Sequence, residues 1–373
     1  MRSPVGDFLE PNLRRAGDCR ARHRRATLRV GVLVAILATL SAPATANQTS
    51  TLVSFDFGTF GTVQVDLFND LTPISVNNFL QNYVATNKYD NTMINRSVSP
   101  GVLPLGTAAG TPAPTFGVVQ GGGSNADASD ITTAAAISLE YSRANSRGTI
   151  GMARTSDPNS ATSGWFFNTT DNSIPFAPNA NSQGYAVFGW VVGTGMAAID
   201  AIAAVPTFNY QGGFASVPLQ NFTAADYASS TSNPIAHVVI LNSVTVIKTH
   251  PSYQNPILSV DVNNDGSLSP QDLGIVLLDI ANNGIHSVSG AFSGASYLDV
   301  NGDGLISPAD VLGIVSAIQS QDAPQSLAAS QGLTMTAGVS IVPEPASWSL
   351  AGMGVLVFAA YAVRRRRHLA RCG

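Results

Sequence analysis

A mainly β domain closed into a barrel and capped by helices, followed by a small α-helical module, is the architecture this chain's patterning specifies. Three observations carry that reading. Many short runs rich in β-branched and aromatic residues lie between about residues 51 and 247, and only two stretches among them have helical spacing. After residue 255 an acidic loop followed by an apolar-periodic run occurs twice. Numerous short strands with few helices favour closure, since a closed sheet leaves no bare edge.

The elements follow in chain order. Residues 51–57 and 61–67 flank Gly58-Thr59 and read as a β-hairpin. Thr72-Pro73 then precedes Ile74, Val76, Phe79, Leu80 and Tyr83, which predicts a helix with Thr72 as N-cap and Pro73 in the first turn. Further strands are predicted at 93–98, 117–120, 149–153, 164–168 and 186–192, a second helix at 196–205, and a long apolar strand at 237–247.

Composition narrows the function. The chain has 373 residues, 45% apolar and 11% charged, and a formal net charge of -4. That balance hides an asymmetry, because residues 47–341 hold 6 Lys and Arg against 19 Asp and Glu, an excess of 13 negative charges. A segment so poor in clustered cations has no footprint for phosphate backbones, so nucleic acid is excluded as a partner. The two cysteines, Cys19 and Cys372, sit in terminal segments and offer neither a disulfide framework nor a catalytic thiol. An Arg-rich start, the apolar run 30–40 and Ala44-Thr45-Ala46 read as an export signal over residues 1–46. A run of eleven residues is too short to cross a bilayer core of about 30 Å.

The ordered motifs FGTVQVDLFNDLTPISVNNFLQNYV, NKYDNTMINRSV, VVQGG, GTIGMARTSDPNSATSGWFFN and GYAVFG resemble cyclophilin-type peptidyl-prolyl isomerases across residues 51–247. The resemblance implies an eight-stranded antiparallel barrel with an apolar, proline-accepting groove, no catalytic cofactor, and proline-containing polypeptides as partners. It implies Arg96 as the main catalytic group, with Gln120 orienting it or holding the substrate carbonyl. Val118, Ala153, Phe166 and Tyr185 would line the groove, and Phe176 is the nearest match to a wall residue from a later loop. Departures from the family pattern are Gly117 in place of a pocket phenylalanine, with Phe116 adjacent, Gly164 in place of a groove glutamine, Asn95 before the arginine, and a Gly- and Pro-rich insertion at 99–115. They leave open a second reading, a weak or inactive proline-peptide-binding or adhesion module.

Loops beginning at Asp261 and Asp299 place carboxylate or amide oxygens at positions 1, 3, 5 and 12 and Gly at 6, the spacing that wraps a hard cation. The expected ligands are Asp261, Asn263, Asp265, the Ser267 carbonyl and Asp272, then Asp299, Asn301, Asp303, the Leu305 carbonyl and Asp310. Ser269 and Ser307 would reach the cation through water. Each loop runs into a helix and none precedes it, so residues 255–320 resemble a dockerin domain. That resemblance implies two structural Ca2+ sites and a docking-module partner.

After a linker at 321–341, residues 342–373 present Val342-Pro343-Glu344-Pro345, an apolar run and Arg364 to Arg367, an order that resembles the PEP-CTERM sorting signal. An exported chain at a bacterial cell envelope or surface follows, its last segment engaging a sorting protease or, as a short span flanked by cations, the membrane. A hydrolase lacks parts: His237, His250 and His286 stand beside no nucleophile motif, and no zinc-ligand spacing occurs.

Overall fold

The computed structural model describes residues 48–210, 214–229, 231–288 and 296–322. The export signal at 1–46 and the sorting segment at 342–373, with any membrane span there, lie outside the described residues. The expected linker at 321–341 does too, except that its first two residues still belong to a helix. Among the described residues no helix is long and apolar enough to cross a membrane.

Eight strands form one antiparallel sheet: β1 (Thr49–Asp56), β2 (Thr62–Leu67), β4 (Arg96–Val98), β5 (Val118–Gly121), β6 (Thr149–Met152), β7 (Trp165–Asn168), β8 (Val187–Val191) and β12 (Ser243–Pro251). Their order is β12-β1-β2-β8-β6-β7-β5-β4. A short pair, β3 (Thr92–Met93) with β11 (Ile240–Leu241), joins the segments leading into the two edge strands and so draws the ends of the sheet together. The pleat sends alternate residues to opposite faces. Val53, Phe55, Val63, Val65, Val119, Ile150, Trp165 and Phe167 fill the interior, with α1 (Pro73–Phe79) and α2 (Met196–Ala203) adding Val76, Phe79, Ile199 and Ile202. Two further short strands, β9 (Thr207–Phe208) and β10 (Val217–Pro218), and a helical turn α3 (Ala224–Ala228) build an outlying apolar cluster around Phe208 and Phe222.

Three local expectations are corrected. Thr72 makes no side-chain cap; the first turn of α1 is held by Glu140, which accepts from the Ile74 N–H at 3.0 Å and the Ser75 N–H at 2.7 Å. The predicted strand 93–98 breaks at Ile94 and Asn95, where the chain leaves β3 for β4. The predicted strand 237–247 is a 3-10 turn over Pro234–His237, then β11, then β12, with the break at Asn242, whose N–H goes to the Asp56 carbonyl at 2.8 Å. From Ser243 to Pro251, β12 is paired to β1, with an irregularity in register opposite Leu52 and Val53.

Beyond the barrel, α4 (Pro270–Asn283) and α5 (Pro308–Asp322) pack together over Val262, Leu273, Val276, Val300, Ile306, Ile314 and Ile318. Strands β13 (His286–Ser287) and β14 (Leu305–Ile306) tie the end of α4 to the second loop. This helix pair shares a compact unit with the barrel. Tyr297 is buried with Leu52, Phe68, Val187 and Val192 of the barrel. Its hydroxyl donates to Asp66 Oδ2 at 2.7 Å and accepts from Trp190 Nε1 at 2.7 Å, while Asp66 Oδ1 faces His250 Nε2 at 2.9 Å. Burial pushes the Asp66 carboxyl up, and the His250 hydrogen bond opposes it. A second tether is Asn264, whose amide accepts from the Gly193 N–H and donates to the Val191 carbonyl, each at 2.9 Å.

Candidate active site

One row of register partners crosses four strands on the outer face of the sheet: Arg96 pairs with Gln120, Gln120 with Phe166, and Phe166 with Gly151. Because alternate residues share a face, Val98, Val118 and Phe166 point outward with that row, while Val119, Trp165 and Phe167 enter the barrel. The outward set makes a separate apolar cluster of Val98, Val118 and Phe166, against which Phe116, Ala153, Phe176 and Tyr185 pack. Every groove residue expected from the sequence is therefore brought to one place. Gly151 is part of the construction, since a Cβ there would lie 2.7 Å from Phe166 Cζ. Its bare backbone lets the ring lie across β6.

Four aromatic rings form the wall. Phe176 sits 5.3 Å from Phe116, 5.6 Å from Phe166 and 4.9 Å from Tyr185, and Phe166 meets Tyr185 edge-on at 5.6 Å. Such offset and edge contacts are the preferred geometries for rings. A Cβ at position 117 would lie 2.5 Å from Thr169 Oγ1, so a side chain there would require Thr169 to shift. The aromatic comes from Phe116 instead, one residue earlier, at the end of the 99–115 insertion.

Arg96 lies at the lip of this cluster, solvent-exposed, with its guanidinium 5.7 Å from the centre of the Phe116 ring. Desolvation lowers its pKa from the usual value and the neighbouring Tyr185 opposes the shift. A guanidinium remains charged regardless. On the far side Arg154 stacks 4.6 Å over Tyr185 and donates through Nε to the Gly184 carbonyl at 3.0 Å, fixing the turn that presents the tyrosine. Sequence reading passed over Arg154, although its place directly after Ala153 in the motif was a usable signal. Gly164 leaves space that is already tight, as a Cβ would sit 3.2 Å from that of Ala153.

The acidic loops are built alike. Asp272 accepts from the N–H groups of Val262 and Asn263 with one oxygen and from Ser269 with the other; Asp310 does the same with Val300, Asn301 and Ser307. Asp261 and Asp299 accept from the backbone across the loop, at Asp265 and Gly266 and at Asp303 and Gly304. Asn263 and Asn301 donate to Asp265 and Asp303. Ser269, expected to reach a cation through water, caps α4 by accepting from the Gln271 N–H, and Ser307 accepts likewise from the Ala309 N–H. Among the described residues no three His, Cys, Asp or Glu side chains converge as a metal cluster.

Comparison with known proteins bears on both ends of the chain. Residues 52–225 match the family described as cyclophilin type peptidyl-prolyl cis-trans isomerase/CLD, and residues 342–367 match the PEP-CTERM protein-sorting motif, which supports export and a cell-envelope location. The peptidyl-prolyl cis-trans isomerase of Acinetobacter baylyi is 41% identical over 162 residues, 43% of this chain and 76% of that protein. Isomerase A of Dickeya dadantii is 36% identical over 193 residues, covering 50% and 90%. Isomerase B of Escherichia coli is 33% identical over 151 residues, covering 39% and 81%. With most of each relative's length matched by the barrel half, the chain belongs to the cyclophilin-type peptidyl-prolyl cis-trans isomerases.

Proposed function

We propose that Arg96 is the catalytic group and that the clients are X-Pro bonds of exported polypeptides. The observation that supports this most directly is the pairing of Arg96 and Gln120 at the rim of an outward-facing apolar cluster. An X-Pro bond prefers trans by only about 0.5–1 kcal/mol, yet turns over tens to hundreds of seconds because amide resonance must be broken. Twisting the bond localises a lone pair on the proline nitrogen. The Arg96 guanidinium can donate to that lone pair in the twisted state and has little to gain in the planar one, which is the differential binding that catalysis requires. Val118, Phe166, Phe116 and Phe176 hold the proline ring, Tyr185 and Ala153 bound the neighbouring subsite, and Gln120 orients the arginine or the substrate carbonyl. In a proline-peptide isomerisation assay on the full chain, Arg96→Ala lowers kcat/KM about 100-fold. Equal rates with and without the guanidinium would defeat the assignment.

Residues 255–320 are, on this reading, a dockerin-like module whose two loops each take Ca2+. The residues fit a hard cation: Asp261, Asn263, Asp265, Asp272 and the Ser267 carbonyl in one loop, and Asp299, Asn301, Asp303, Asp310 and the Leu305 carbonyl in the other, all present oxygen. Burial pushes the Asp261 and Asp299 carboxyls up, as do their acidic neighbours. A bound divalent ion would supply the missing positive charge. Leu278 and Leu312, exposed on the two helices, offer a surface to a docking partner. Calcium added to chelator-treated chain raises the thermal midpoint of the helix pair; no shift would remove this part of the reading. The segment 342–373 is assigned to a sorting protease, with membrane contact before cleavage.

A further inference from the structure

Three of the four rings beside the proposed groove come from separate loops, and rings on loops do not hold still without support. Phe116 precedes β5, Phe176 follows β7 by eight residues, and Tyr185 precedes β8. Directly behind them lie three asparagines, Asn145, Asn168 and Asn172, 1%, 0% and 0% exposed. Their amides form a directed chain: Asn172 Nδ2 donates to Asn168 Oδ1 at 2.7 Å, Asn168 Nδ2 to Asn145 Oδ1 at 3.2 Å, and Asn145 Nδ2 to the Tyr185 carbonyl at 3.2 Å. At the other end Asn172 grips the Gly117 backbone like a paired strand, accepting from its N–H at 3.1 Å and donating to its carbonyl at 2.7 Å. The Asn172 carbonyl also accepts from the Phe176 N–H at 3.0 Å, and the Asn172 N–H donates to the Asn145 carbonyl at 2.9 Å.

We propose that Asn145, Asn168 and Asn172 are positioning residues for the isomerase reaction, acting as one buried relay that fixes the aromatic wall of the proline pocket. The proposal rests on that pocket being the substrate pocket. All three are buried, and each side-chain amide oxygen and nitrogen of the relay has a partner. A fully satisfied polar network in a low-dielectric interior specifies one arrangement, because every alternative strands a buried donor or acceptor. The relay touches the attachment point of all three loop rings, at Gly117 beside Phe116, at Phe176 and at Tyr185. None of these hydrogen bonds goes to Arg96 or Gln120. Its contribution is therefore to binding and leaves the chemical step alone.

The test is a KM-against-kcat split on the full chain. Asn145→Ala and Asn172→Ala, assayed with a proline peptide at a temperature where near-UV circular dichroism shows each folded, raise KM about tenfold and leave kcat within about threefold. Arg96→Ala, run alongside, lowers kcat instead. Folded relay variants with unchanged KM overturn the proposal while leaving the arginine assignment intact; unchanged rates for Arg96→Ala sink the arginine assignment alone. Amide hydrogen exchange on the unsubstituted chain is an independent check that needs no variant to fold. The Gly117 and Phe176 N–H groups are protected like those of β5 and β7, and exchange at the rate of exposed loop amides overturns the relay.

Discussion

Inside the barrel the largest buried side chains are aromatic: Trp165, Phe55 and Phe167 meet one another edge-on at 5.2 to 5.4 Å. Between α4 and α5 the core is short and aliphatic, and the fully buried groups beside it include the carboxyls of Asp272 and Asp310. The barrel closes on apolar area, which favours burial at roughly 25 cal/mol per Å² and asks little of direction. The helix pair, with a few valines and isoleucines, leans on charged acceptors that satisfy backbone N–H groups in fixed geometry. The proposed substrate groove sits on the first kind of structure, where a rigid interior lets an outer row of residues be aimed. The loops sit on the second, whose buried carboxyls hold the loop backbone in place.

Three substitutions break or sharpen this contrast. The largest effect is expected from Phe167→Ala, which opens a cavity in the aromatic core and costs about 3–5 kcal/mol by denaturant unfolding. A cost below about 1 kcal/mol would mean the barrel does not depend on its rings. Next comes Asp310→Ala, which strands the N–H groups of Val300, Asn301 and Ser307 and costs about 1–3 kcal/mol, seen as an early loss of far-UV helical signal while the near-UV signal of the barrel persists. Simultaneous loss of both signals would mean that helix pair and barrel unfold as one. The smallest is Asn264→Ala at about 1 kcal/mol, because two hydrogen bonds to the barrel go and a side chain is left at φ 57°. Asn264→Gly restores the backbone share of that loss and leaves the hydrogen-bond share, which separates the two causes.

What the residues announced and what they concealed divides by range. The resemblance, rather than alternation, marked Val118 and Phe166 as groove residues and set Gln120 beside Arg96, because VVQGG and GWFFN do not alternate apolar with polar residues. The Asx spacing of the two loops was local and therefore readable. Glu140 capping a helix 65 residues upstream was not readable, because the Thr72-Pro73 pair satisfies every local rule for a helix start. The relay asparagines look, one at a time, like ordinary turn residues; only the fold brings positions 145, 168 and 172 behind one pocket. The displaced aromatic at Phe116 was half visible, since Gly117 was conspicuous and its steric reason, Thr169, was not.

Tyr297 stands 46 residues beyond the last strand of the barrel, yet it supplies one of the hydrogen bonds to Asp66 and part of the apolar lid over Leu52 and Phe68. A protein cut after Pro251 would keep every residue of the groove and would still expose a carboxylate and a greasy floor that the intact chain keeps dry. The buried surface of the barrel thus continues past its last strand as far as Tyr297, and fragments made for study hold together best when they run past that tyrosine.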